Sequence, residues 1–143
     1  MALPGFEPTV PMERLKGRRV LIVEDEPFVA LNLSSYLIEC GALIVGPARS
    51  MTEAIAYVDR RTFDMAVLDI GLLEGEVYPL AETLSRNDIP FVFYSGRFRV
   101  GPSARLLPDV PCIDKSSLTG MQTVASELAR LIGHLEQPSF AEA

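Results

Sequence analysis

A chain of 143 residues, 48% hydrophobic and 22% charged, is long enough for one domain with a real core and has the balance of a globular protein. Its formal net charge of −6 argues against a nucleic-acid surface, which needs an excess of Lys and Arg. The cysteines, Cys40 and Cys112, match no metal or redox spacing, and no run approaches the roughly 18 apolar residues of a membrane span.

The first residues, "MALPGFEPTVPM", lack the charged and apolar regions of a secretory signal, so a cytoplasmic protein is expected. Pro4, Pro8 and Pro11 disfavour a regular helix and predict an extended arm over residues 1–16. The basic run Arg14, Lys16, Arg18 and Arg19 reads as a solvated lead-in to the first strand. One folded domain is expected over residues 17–137, with a short tail over 138–143.

"RVLIV" is a short, β-branched apolar run of the kind buried on both faces of a sheet. Pro27 suits a helical first turn; Val29, Leu33, Tyr36, Leu37 and Cys40 then recur at helical spacing until Gly41. "ALIVG" predicts a second strand, and "SMTE", Ser50 to Glu53, a capping box opening a second helix. "FDMAVLDI" predicts a third strand, and Val77, Leu80, Ala81 and Leu84 the stripe of a third helix. "IPFVFYSG" predicts a fourth strand. The segment Arg97 to Pro108 holds Gly101, Pro102 and Pro108, so any fourth helix there is short or irregular. "VPCID" predicts a fifth strand, and Met121 to Leu135 the apolar face of a long last helix. Alternation of this kind predicts an α/β doubly wound, five-stranded parallel sheet of order 2-1-3-4-5, with ligands bound beyond the strands' carboxyl ends.

Those ends carry the chemistry. Glu24 and Asp25 come directly after the first strand, Asp69 after the third, Ser95 at the end of the fourth and Lys115 after the fifth. Neighbouring first and third strands bring three acids together, and such a cluster is tolerable around a divalent cation. An oxygen-only donor set with room for water suits Mg2+. Lys115 and Ser95 can neutralise and hydrogen-bond a phosphoryl group, and Asp69 can accept one as an acyl phosphate.

With "VLIVEDEP", "DMAVLDI", "FVFYSG" and "CIDK" in order, the sequence resembles the receiver domains of two-component response regulators from about Arg18 to Gln137. The resemblance implies a flavodoxin-like fold, Asp69 as phosphoacceptor, and Mg2+ held by Glu24, Asp25, Asp69 and the backbone carbonyl of Gly71. It also implies a phosphoryl-stabilising Ser95 and Lys115, and a histidine kinase or histidine phosphotransfer protein as donor. "FYSGRF" further resembles the receiver subgroup named for its F-A-T-G-(apolar)-Y stretch, with Phe98 as the switch aromatic. The chain departs from the pattern at Tyr94, Arg97, Cys112 and Ser116, the last standing where the family usually has Pro. With no output domain fitting in the tails, a stand-alone receiver is expected. It would be a signalling protein and not an enzyme, acting on an unknown downstream protein or as a phosphoryl shuttle or sink. Homodimer pairing is left open. The alternative is a phosphorylation-independent pseudo-receiver serving as an interaction module. An aspartyl phosphatase is disfavoured because Gly71 stands where its general acid belongs.

Overall fold

The structure, a computed structural model, describes residues 11–71, 77–96 and 109–136, with side chains described over 13–71, 77–96 and 109–133. Its sheet is parallel, with strands in the order β2-β1-β3-β4-β5. The strands are β1 (Arg19–Val23), β2 (Leu43–Ala48), β3 (Met65–Leu68), β4 (Phe91–Ser95) and β5 (Cys112–Asp114). The helices are α1 (Pro27–Glu39), α2 (Met51–Arg60), α3 (Val77–Arg86) and, last among the described residues, α4 (Gly120–Glu136).

Strand side chains alternate between two cores, as the two-residue period of a strand requires. Val20, Ile22, Met65, Val67, Val92 and Tyr94 face Leu33 and Leu37 of α1 and Val124 and Leu128 of α4. Leu21, Val23, Ala66, Leu68, Phe91 and Phe93 face Ala54 of α2 and Leu80, Ala81 and Leu84 of α3. Both faces of the central strands are thus covered, which is why β3 and β4 read as unbroken apolar runs.

The local signals act as expected, with shifts that have physical causes. Pro27 occupies the first turn of α1, and Gly41, at φ +94°, turns the chain just beyond it. Ser50 caps α2 by accepting the Glu53 N–H at 3.2 Å, but the return bond from Glu53 Oε2 reaches the Arg49 N–H at 3.1 Å, one residue early. β2 runs past Gly46 and Pro47 to Ala48, because an edge strand tolerates a residue without an N–H.

The expectation of an extended arm through residue 16 is corrected. Pro11–Leu15 forms a 3-10 helix that packs on α4, and Leu15 is fully buried. A proline at a helix start lacks only an N–H that would be unpaired anyway, so Pro11 opens this turn and does not block it. Arg14 lies over Gly133, where any Cβ would collide with its guanidinium. The expected short fourth helix, with Arg97 and Phe98, lies outside the described residues.

At the amino ends of the strands, Asp64 ties β1 to β3. Its Oδ2 accepts the Arg19 backbone N–H at 2.8 Å, and its Oδ1 accepts from the Arg19 guanidinium at 3.1 Å. Burial pushes the Asp64 carboxyl up, but the Arg19 bonds outweigh it and hold the group below its ordinary 3.8. A depressed carboxylate stabilises the fold above its unfolded pKa, and that stabilisation is lost as pH falls through the folded value. Asp64→Asn is therefore expected to lower the urea midpoint at neutral pH, with the difference from wild type vanishing on acidification below the folded value. A difference that persists unchanged in acid would contradict this linkage.

Candidate functional site

Parallel strands present all their carboxyl ends at one edge, and the chain leaves that edge in opposite directions from β1 and β3. A crevice opens at such a reversal. Glu24 and Asp25 come directly after β1, Asp69 after β3, and Lys115 after β5. Backbone bonds fix the first two of these loops in place: Glu24 N–H donates to Ala48 O at 2.9 Å and Asp69 N–H to Val23 O at 3.0 Å. Lys115 N–H donates to Ser95 O at 3.0 Å, continuing the ladder between β4 and β5.

Carboxylate oxygens of Glu24, Asp25 and Asp69 all lie within 4.8 Å of one another. Glu24 and Asp69 are buried, at 3% and 6% exposure, while Asp25 is exposed. Two unit charges about 4 Å apart repel by about 4 kcal/mol at an effective dielectric near 20, so the cluster demands cations. Lys115 supplies one: its Nζ is 2.6 Å from Glu24 Oε1 and 3.2 Å from Asp69 Oδ2. Backbone amides help. Gly71 N–H donates to Asp69 Oδ1 at 2.9 Å, and Glu26 N–H to Glu24 Oε2 at 3.2 Å.

One lysine does not offset the cluster. Burial drives the Glu24 carboxyl from 4.5 up to about 7, with the Asp69 charge adding to the rise and the Lys115 bond opposing it. For Lys115, burial pulls the amine down, but the bonds and charges of Glu24 and Asp69 prevail and raise it. The two directions agree. Burial costs Glu24 more than a shared lysine returns, whereas the lysine faces two carboxylates. A donor set of three carboxylates with an unmet demand for positive charge fits the hard, oxygen-seeking Mg2+.

The structure therefore gathers Glu24, Asp25, Asp69 and Lys115 at one point, as expected from sequence. Ser95 is the buried last residue of β4, adjacent in the sheet to Asp114, and Gly71 presents its amide to Asp69. Phe98 lies outside the described residues. Glu26 is the residue before α1 and contributes its backbone amide. Sequence reasoning missed Asp114, whose carboxylate is bonded to Ser116; the signal present was an Asp two residues before a Ser, the spacing of an Asx turn.

Residues 20–100 match the model of the response regulator receiver domain family. The chain belongs to that family. PhyR, the phyllosphere-induced regulator of Methylorubrum extorquens, is 30% identical over 57% of this chain and 33% of its own length. The crystal structure of PhyR from Brucella abortus superposes with a TM-score of 0.68 at 26% identity, over 88% of this chain and 52% of that one. The chain thus spans only part of these longer relatives. A BeF3-activated solution structure of SdrG from Pseudomonas melonis Fr1 is 35% identical, with a TM-score of 0.63 over 77% of this chain and 95% of that one. Receiver domains of this family are the response-regulator modules of two-component signalling. Among the described residues, no helix is long and apolar enough to cross a membrane.

The bridging lysine yields a prediction. Lys115→Met leaves two buried acids facing each other, and losing one partner of a buried pair costs about 3–5 kcal/mol. At neutral pH Glu24, without the bond that lowers its pKa, takes up a proton and softens that cost, so a loss of about 1–3 kcal/mol is expected in metal-free urea unfolding. A loss below about 0.5 kcal/mol, the size of an exposed pair, would contradict the buried bridge.

Proposed function

We propose that this receiver accepts a phosphoryl group on Asp69 from a histidine kinase or histidine phosphotransfer protein. The observation that supports this reading is the double contact of Lys115 with Glu24 and Asp69, beside an acid cluster with charge demand left over. Glu24, Asp25, Asp69 and the Gly71 carbonyl are the groups that would hold Mg2+. When bound, the ion supplies positive charge against the equatorial phosphoryl oxygens and lowers repulsion on the approach of an anionic donor.

The chain's own residues do the rest. Asp69 Oδ2 is the oxygen Lys115 contacts and Oδ1 the one Gly71 holds, so the carboxylate is fixed in orientation before any donor arrives. Lys115, already 3.2 Å from Asp69, is placed to follow negative charge onto the new phosphoryl oxygens. Ser95 is proposed to donate its hydroxyl to the same group and Phe98 to move with it. A phosphoryl group adds a charge of about −1.5 to −2, which is the drive for that movement. The result would be a partner-binding switch, or a shuttle or sink for phosphate, in a cytoplasmic protein. The working domain is proposed to be residues 17–137 together with the 3-10 helix that packs on α4.

A relative solved in a BeF3-activated conformation supports the same chemistry, since that ion mimics a phosphoryl group on a carboxylate. The stretch Phe93 to Phe98 supports a place in the F-A-T-G-(apolar)-Y receiver subgroup, acting on a downstream protein partner with homodimer pairing open to it. Ser116, Tyr94 and Arg97 favour a second reading, a pseudo-receiver that binds its partner without phosphate.

Intact-mass measurement after incubation with Mg2+ and a small phosphodonor separates the two readings. The expected result is one added phosphoryl group, abolished by Asp69→Asn and by chelating the metal. No adduct from either small donors or a kinase would favour the pseudo-receiver.

A further inference from the structure

The loop after β5 holds Lys115 between two residues that are bonded to each other around it. Asp114 Oδ1 accepts the Ser116 backbone N–H at 2.8 Å and the Ser116 hydroxyl at 2.8 Å. The Asp114 carbonyl accepts the Ser117 N–H at 3.1 Å, and the Ser117 carbonyl accepts the Gly120 N–H at 3.1 Å. A Cβ at Gly120 would come within 2.9 Å of that Asp114 carbonyl and 3.3 Å of the Tyr94 ring, so the start of α4 presses closely on the same residue. On its amino side, Lys115 is pinned by its own N–H to Ser95 O.

We propose that Asp114 is a positioning residue for Lys115, its carboxylate closing the backbone around the lysine so that Nζ spans Glu24 and Asp69. A lysine stem is flexible, and its reach is set by where its backbone is held. Here the ladder bond to Ser95 fixes the backbone on one side and the Asp114–Ser116 bonds fix it on the other. Asp114 touches neither the acid cluster nor a phosphoryl group. It acts through the lysine alone.

This role deepens the phosphoacceptor reading and rests on it for its chemical consequence, though not for its geometric one. The test uses the full chain. Asp114→Ala is expected to slow phosphorylation of Asp69 by a small phosphodonor at saturating Mg2+ about tenfold, the scale of losing charge-assisted hydrogen bonds. Mg2+ affinity, read by calorimetry, is expected not to fall, because Asp114 is none of the proposed ligands and moving the lysine away removes a competing positive charge beside Glu24 and Asp69. Asp114→Asn keeps an acceptor oxygen at the same place and should restore the rate to within about threefold of wild type. In a Lys115→Met background, Asp114→Ala should cause no further loss, since the two act as one unit.

Crystal structures make the geometric arm independent of chemistry. Lys115 Nζ should leave hydrogen-bond distance of Glu24 in Asp114→Ala and keep it in Asp114→Asn. A wild-type rate in Asp114→Ala, an equal loss in the Lys115→Met background, or an undisturbed Nζ would overturn the positioning role. If wild type takes no phosphate while Nζ still depends on Asp114, the phosphoacceptor reading fails and the positioning role stands.

Discussion

The interaction on which this molecule turns is a lysine held between two buried carboxylates that the fold forces together. Topology leaves the sheet no choice: β1 and β3 are neighbours and parallel, so the residues just past their carboxyl ends meet at one edge. With Glu24 and Asp69 in those places, repulsion of several kcal/mol must be offset or the fold weakens. Lys115 arrives from β5, two strands away from β3, to bridge them. The same contact that stabilises the resting fold is thus poised to respond when charge on Asp69 changes.

The partial character of that offset is what leaves room for chemistry. Were the lysine sufficient, Glu24 would sit at an ordinary carboxylate value, and a second cation would have little to gain. Instead burial holds Glu24 near 7, and the exposed Asp25 adds a further acid at the mouth. Among the described residues the site combines a buried floor at Glu24 and Asp69, where electrostatic forces are strong, with an exposed acid at Asp25.

Much of this was legible in the sequence because strand ends are legible. Unbroken apolar runs marked β1, β3 and β4, and the residue after each run is at the sheet edge whatever the exact register. That is why Glu24, Asp25, Asp69 and Lys115 were found by position alone. The features that escaped were of another kind. Pro11 breaks a helix in its interior but starts one at its end, and only the burial of Leu15 against α4 distinguishes the cases. Asp114 looked like a strand terminus, and its bond to Ser116 depends on a turn geometry that no apolar pattern encodes. The departure at Ser116 has a concrete consequence: a serine keeps the backbone N–H that a proline would lack, and Asp114 uses it.

A calorimetric Mg2+ titration of wild type beside Asp25→Asn, which removes an exposed acid while leaving Lys115 its two partners, tests whether the three acids form a cation pocket. Wild type is expected to take up a single ion per chain, with affinity reduced at least about tenfold by the substitution, the scale of one lost carboxylate ligand. Absence of uptake by wild type, or uptake indifferent to Asp25, would show that the acids converge without forming a cation pocket.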